Sequence, residues 1–157
     1  MERNMVSLFL TKGDRVLLLY REGGRVVNHL YVAACGGHME KDELNNAKAA
    51  VIREMQEELG ITERNVGEIR LRYITLRNTG AEIRQNYYFF AELPDAISLS
   101  SNEGRLQWCT EAETLSLPMP QSAKAVIAHY FREGKGNDTL YGCISDGPQS
   151  HIMPMRA

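Results

Sequence analysis

The sequence predicts an α/β fold in one domain, on three observations. Stretches alternating in apolar character, as strands do, are interleaved with two stretches of helical period; the 157 residues allow one sizeable core but hardly two; and 43% hydrophobic with 24% charged residues is ordinary for a packed protein. Each element has its own local warrant.

Apolar segments at 5–10 and 15–20 flank Lys12-Gly13-Asp14, a turn signal that makes them a hairpin. A short extended stretch is expected over 29–34, ending at Gly36-Gly37. From Asn46 to Leu59 the period becomes helical, because Ala47, Val51, Met55 and Leu59 recur every four residues with Ile52 beside them. Asn45 or Asn46 can cap this helix, and Gly60 stops it. Alternation returns over 69–76 and 83–93, which read as consecutive strands, and 105–109 as a short one. Glu111 and Glu113 suit a helix N-terminus. A second helix is expected over 121–132, its approach punctuated by Pro118 and Pro120. Thr139 to Ile144 reads as an edge strand, followed by a tail with no assigned structure, so His151, Met153 and Met155 are expected to be mobile.

The net charge of -2 gives no general reason to bind nucleic acid or an anionic membrane, so neither is an expected partner. No apolar run reaches the length of a membrane span, and the start lacks a signal-peptide pattern. Cys35, Cys109 and Cys143 are an odd set without CxxC spacing, which predicts reduced thiols and a cytoplasmic setting, with Cys35 a buried filler.

The chemistry lies between residues 36 and 61. On a helix Glu54, Glu57 and Glu58, at i, i+3 and i+4, share one face beside the apolar stripe. Carboxylates that close repel one another, so a positive partner is expected there. Arg53, four residues before Glu57, can fix that carboxylate's rotamer. A lone ExxEE run would be only a solvated helix face; here it stands between Gly36-Gly37 and Gly60-Ile61.

This segment resembles the Nudix hydrolases, whose pattern is G-x5-E-x7-R-E-U-x-E-E-x-G-U with U a bulky apolar residue. Gly37 and Glu43 match the first half; Arg53, Glu54, Met55, Glu57, Glu58, Gly60 and Ile61 match the second. The second half would arise by chance in such a chain on the order of once in 10^5. One departure stands out: nine residues separate Glu43 from Arg53 where the pattern has seven, and Glu43 is left without a role.

The resemblance implies a mixed sheet sandwiched between helices (α/β/α), and hydrolysis of a phosphoanhydride in a nucleoside diphosphate derivative with Mg2+ or Mn2+. It implies Glu57 and Glu58 as principal metal ligands, Glu54 completing the site or handling the proton of the attacking water, Gly36 as a carbonyl ligand and Arg53 as an orienting residue. Glu103 resembles a family loop glutamate that reaches the metal, and Arg21 a family phosphate-binding arginine. His38 could touch phosphate. Arg70, Arg72, Arg77 and Arg84 could too, but are expected to be mostly strand-surface residues, and Tyr31, Tyr73, Tyr87, Phe89 and Trp108 mostly core. Within the family the short chain favours a MutT-like (d)NTP pyrophosphohydrolase with a small nucleotide as partner. Sugar nucleotides, dinucleoside polyphosphates, capped RNA ends, prenyl diphosphate isomerisation, a nonhydrolytic sensing module and a homodimer stay open.

Overall fold

The structure, a computed structural model, describes residues 1–23, 28–94 and 97–157. Strands β1 (Glu2–Lys12) and β2 (Arg15–Arg21) form the expected hairpin, with Leu10 opposite Leu17 and Gly13 at φ 59° in the turn. They are followed by β3 (Leu30–Ala33), β4 (Cys35–His38), helix α1 (Ala47–Leu59), β5 (Arg70–Asn78) and β6 (Ile83–Glu92). The chain then makes β7 (Gly104–Cys109), α2 (Glu111–Ser116), α3 (Gln121–Arg132), β8 (Tyr141–Asp146) and β9 (Gln149–Pro154).

The strands form one mixed sheet in the order β3-β2-β1-β6-β5-β8-β9, with β4 added to β1 and β7 to β2. Pairs β1/β6 and β5/β8 are parallel and the rest antiparallel. Alternation gives the sheet two faces. Val6, Leu8 and Leu10 pack under Ala50, Val51, Met55 and Leu59 of α1, while Phe9, Tyr73, Tyr88 and Phe90 pack under Ala123, Val126, Ile127 and Phe131 of α3. Helices therefore cover both faces, as the α/β/α expectation has it.

Four expectations are corrected. The glycine pair is not the end of an extended stretch but a strand of its own, β4, held by backbone pairing of Gly36 with Ser7 and Gly37 with Val6. Two residues without side chains carry no strand pattern, so only their long-range partner reveals them. The segment expected at an edge is interior: β8 lies between β5 and β9, and the supposed mobile tail is β9, turned back on β8 through Gly147 at φ 57°. His151 belongs to that strand, opposite Ile144. Arg72 is not a surface residue; it is 5% exposed, and its guanidinium donates to the carbonyls of Gly134 and Thr139.

The sheet divides where β2 leaves β1. β2 pairs with β1 only over residues 10–12 of the latter, while β4 takes that edge over 5–8 and β2 runs on between β3 and β7. A cleft opens at this division, lined by residues of β1, β2 and β4.

Candidate active site

Helix α1 delivers the carboxylates because everything about its seating is fixed. Asn46 Oδ1 accepts from the Ala49 amide at its start, and Gly60 in the left-handed region (φ 68°) closes its end. The apolar stripe sets the rotation about the helix axis, which turns the acidic face towards β4. Glu54 is buried, Glu58 half-buried and Glu57 exposed.

Arg53 is the positive partner the acidic face requires. Its Nε and Nη2 donate to the two oxygens of Glu43 at 2.8 and 2.9 Å, its Nη1 donates to Glu54 and Glu57 at 3.1 Å each, and its Nη2 also reaches the His38 carbonyl at 3.2 Å. The expected Arg53–Glu57 bond is present. Glu43, which sequence reasoning left without a role, supplies the bidentate partner. Its Oε1 also accepts from the Glu40 amide at 2.8 Å, closing a tight turn over Lys41–Glu43. The hydrogen bonds from Arg53, first of all, hold the Glu43 carboxyl below the usual carboxylate range. The two extra residues lie past this turn and do not disturb it; the pattern match at Glu43 was the available signal.

Strand β4 faces the helix with backbone. Met39 N–H bonds back to Asn4 on β1, whereas the His38 carbonyl accepts from Arg53 and the Gly36 amide bonds the Glu58 carboxylate, so the even positions turn their polar groups towards α1. In an antiparallel strand the N–H and C=O of one residue point to the same side, which puts the Gly36 carbonyl on this edge as well. A Cβ on Gly37 would lie 2.5 Å from Glu54 Oε1, so glycine here lets the carboxylate touch the strand.

Glu58 is pushed up to about 8, first by burial, then by its hydrogen bond to Glu54 and the charges of Glu54 and Glu103, with the Gly36 amide pulling the other way. Two carboxylates bonded to each other need a positive charge between them, either a proton or a cation. Among the described residues no three His, Cys, Asp or Glu side chains are arranged to enclose an ion. A hard cation such as Mg2+ asks for less: one or two carboxylates and a carbonyl, with substrate and water oxygens completing the shell. Glu54, Glu58 and the Gly36 carbonyl fit that requirement in kind.

Glu103 lies where the loop before β7 meets α1. Asn102 Nδ2 donates to the Glu57 carbonyl at 3.3 Å, and Glu103 pairs with Arg21 Nη2 at 3.2 Å. Thus Glu103, Arg21 and Glu58 are brought together from three separate parts of the chain. His38 is apart from them; its side chain is exposed and outside the cleft lining. Cys35, buried behind the glycines, is an inert thiol, raised well above its ordinary value by burial and then by Glu58 and Glu54.

The cleft runs from Gly36, Gly37 and Glu58 across the α3 face of the sheet to Thr75, Arg77, Arg84 and Asn86, with Arg21 on one wall and Pro120, Ser122 and Ala123 on the other. Of the expected aromatics, Tyr73 and Phe89 are core and Tyr31, Tyr87 and Trp108 are partly buried against it.

A protein-family model described as NUDIX domain matches residues 1–130. By structure the chain is similar to the Mutator MutT protein from Bacillus halodurans, at 25% identity over 96% of this chain and 97% of that one, with a TM-score of 0.71. It is similar to the ORF135 protein of E. coli at 25% identity over 87% and 95%, TM-score 0.66. A binary complex of the C. elegans Ap4A hydrolase shares the fold at 16% identity over 87% and 98%, TM-score 0.66. No curated protein matched by sequence.

Proposed function

Because the chain belongs to the NUDIX domain family, we propose that it is a divalent-metal-dependent hydrolase of a nucleoside diphosphate derivative, working as one domain and splitting (d)NTPs to monophosphate and pyrophosphate. The observation that carries this reading is the acidic face of α1 set against the glycine strand, with Glu54 and Glu58 close together and Arg53 shared among Glu43, Glu54 and Glu57. The preference for (d)NTPs rests on similarity to the Bacillus halodurans MutT protein.

In this reading Glu54, Glu57, Glu58 and the Gly36 carbonyl would hold a Mg2+ or Mn2+ ion. When bound, the cation neutralises the diphosphate oxygens and stabilises the charge that develops as the phosphoanhydride breaks. Arg53 touches no substrate; its fork holds the carboxylates in one arrangement, so little reorganisation is needed during reaction. Glu103 takes the proton of the attacking water, and Arg21, paired with it, contacts a phosphate oxygen. The water oxygen bonds to phosphorus as the bridging oxygen leaves with pyrophosphate.

The test is incubation with a panel of (d)NTPs, sugar nucleotides and dinucleoside polyphosphates in Mg2+ and then Mn2+, with products identified. Glu58→Gln should lower turnover by at least about 10^2-fold with the fold intact, the scale on which catalytic electrostatics is lost. Near-normal turnover in that variant would remove Glu58 from the mechanism. Tight nucleotide binding without turnover across the panel would favour a sensing module.

A further inference from the structure

The last strand of the sheet has a free edge. β9 ends the strand order and, among the described residues, pairs only with β8. The Met155 amide bonds inward to the Leu140 carbonyl. By the alternation of an antiparallel ladder, Gln149, His151 and Met153 then bond inward too, and Ser150, Ile152 and Pro154 turn their polar groups outward. Pro154, three residues after His151, has no N–H; neither has Pro148, three residues before it. Between the prolines the edge offers the N–H and C=O of Ser150 and of Ile152, placed symmetrically about His151.

Such an edge is its own complement. An antiparallel copy, turned about a two-fold axis at His151, sets Ser150 opposite Ile152 of the second copy, and four N–H···O=C bonds use all of these groups. Moving the register by two residues either way sets Ser150 or Ile152 against a proline and leaves its carbonyl without a donor. β9 contains no Lys, Arg, Asp or Glu, the charges that commonly guard an edge strand, so like can meet like without opposing formal charges. The hairpin is also held ready, because Gln121 Nε2 at the start of α3 donates to the carbonyls of Gly147 and Gln149 at 2.9 and 3.3 Å.

Apolar side chains gather on the sheet face that runs out to this edge. Leu76 of β5 and Ile144 of β8 are neighbours, Ile144 stands opposite His151, and Met153 follows on β9; Leu76, Ile144 and Met153 are 38, 54 and 63% exposed. Helix α1 covers this face further in, over Val6, Leu8 and Leu10. In the two-fold pair Met153 lies diagonally across from His151 of the second copy, within reach of a long side chain.

We propose that two copies of this chain join edge to edge through β9, antiparallel about a two-fold axis at His151, to make one continuous sheet. Pairing over so few residues buries less than the roughly 1,200–2,000 Å2 of a stable interface, so the dimer is weak, with a dissociation constant on the order of 10^-4 M. The inference goes beyond the hydrolase reading and does not depend on it.

The test is sedimentation of the intact protein over about 1 μM to 1 mM, with amide hydrogen exchange at both ends of that range. The wild type should dimerise with concentration, and exchange of the outward Ser150 and Ile152 amides should slow as it does, while the inward His151 and Met153 amides are protected throughout. His151→Lys and His151→Glu each set like charges face to face, with about 4.5 Å between Cα atoms, and should weaken dimerisation at least about fivefold. An equimolar mixture of the two variants sets opposite charges across the axis and should restore it. The His151 side chain is 63% exposed, so both variants should melt with the wild type. A monomeric wild type at the top of the range, a dimer that His151→Lys leaves unchanged, or no recovery in the mixture overturns the proposal. Neither readout uses metal, nucleotide or turnover, so failure here leaves the hydrolase reading standing.

Discussion

Replacing Gly37 by alanine isolates the position of one carboxylate from the rest of the protein. The added Cβ would lie 2.5 Å from Glu54 Oε1, 2.9 Å from its Cδ and 3.1 Å from its Oε2. Ordinary contact begins near 3.5 Å, so the carboxylate must retreat by about 1 Å. What yields is the end of a flexible side chain, and Gly37 has no positive φ, so alanine fits the backbone. Stability should change by less than about 1 kcal/mol, since Gly→Ala at a compatible position is neutral or mildly favourable. Turnover should fall by about 10^2-fold, the cost of misplacing a catalytic group by that distance. Gly36→Ala is the counterpart. Its Cβ would press on the Val6 carbonyl oxygen and lie 3.0 Å from Ser7 Cα, backbone of β1 that cannot step aside, so it should lower the melting temperature. Thermal denaturation and metal-dependent phosphate release, measured on both variants, give the comparison. Full turnover in Gly37→Ala, or a loss that merely follows unfolding, would refute the reasoning.

Two other outcomes can be measured on the same preparations. Glu43→Gln removes the carboxylate that Arg53 forks onto; turnover should drop about tenfold though Glu43 touches no substrate, and equal loss at every metal concentration would distinguish misalignment from weakened metal binding. His129 is buried, with Nδ1 accepting from Tyr73 at 2.8 Å and Nε2 donating to Glu133 at 2.9 Å. Burial, against the pull of Glu133, keeps His129 below its ordinary range. The unfolded chain therefore takes up the proton first: stability is complete above about pH 6.5 and is lost as pH falls from there towards the folded value. Melting temperatures between pH 5 and 7.5 should show this decline, and His129→Gln should flatten it.

What could be read in the sequence was what local chemistry determines. The α1 helix declares itself through its cap, its four-residue period and its closing glycine, and the β1–β2 hairpin through its turn. Strand β4 did not, because glycines have no apolar alternation and its partner lies some thirty residues earlier. The β8–β9 hairpin was misjudged for a related reason: β8 is interior only because β9 returns beside it. At the site, Arg53 with Glu57 was legible as a helical neighbour pair. The Arg53–Glu43 fork depends on where the lengthened loop sends the chain, and the meeting of Arg77 with Arg84 depends on the register of two strands, neither of which a linear pattern records.

The alternation along β1 also bears on how this protein can change. Val6, Leu8 and Leu10 are committed to the interior beneath α1, while Met5 and Ser7, on the opposite face of the same strand, line the cleft with Thr75, Arg77, Arg84 and Asn86. Ligand preference is thus encoded at positions interleaved with, yet separate from, those that maintain the fold. A library restricted to these six cleft positions would sample new substrates at little risk to folding. A single-residue insertion in β1 would exchange the two sets and damage both.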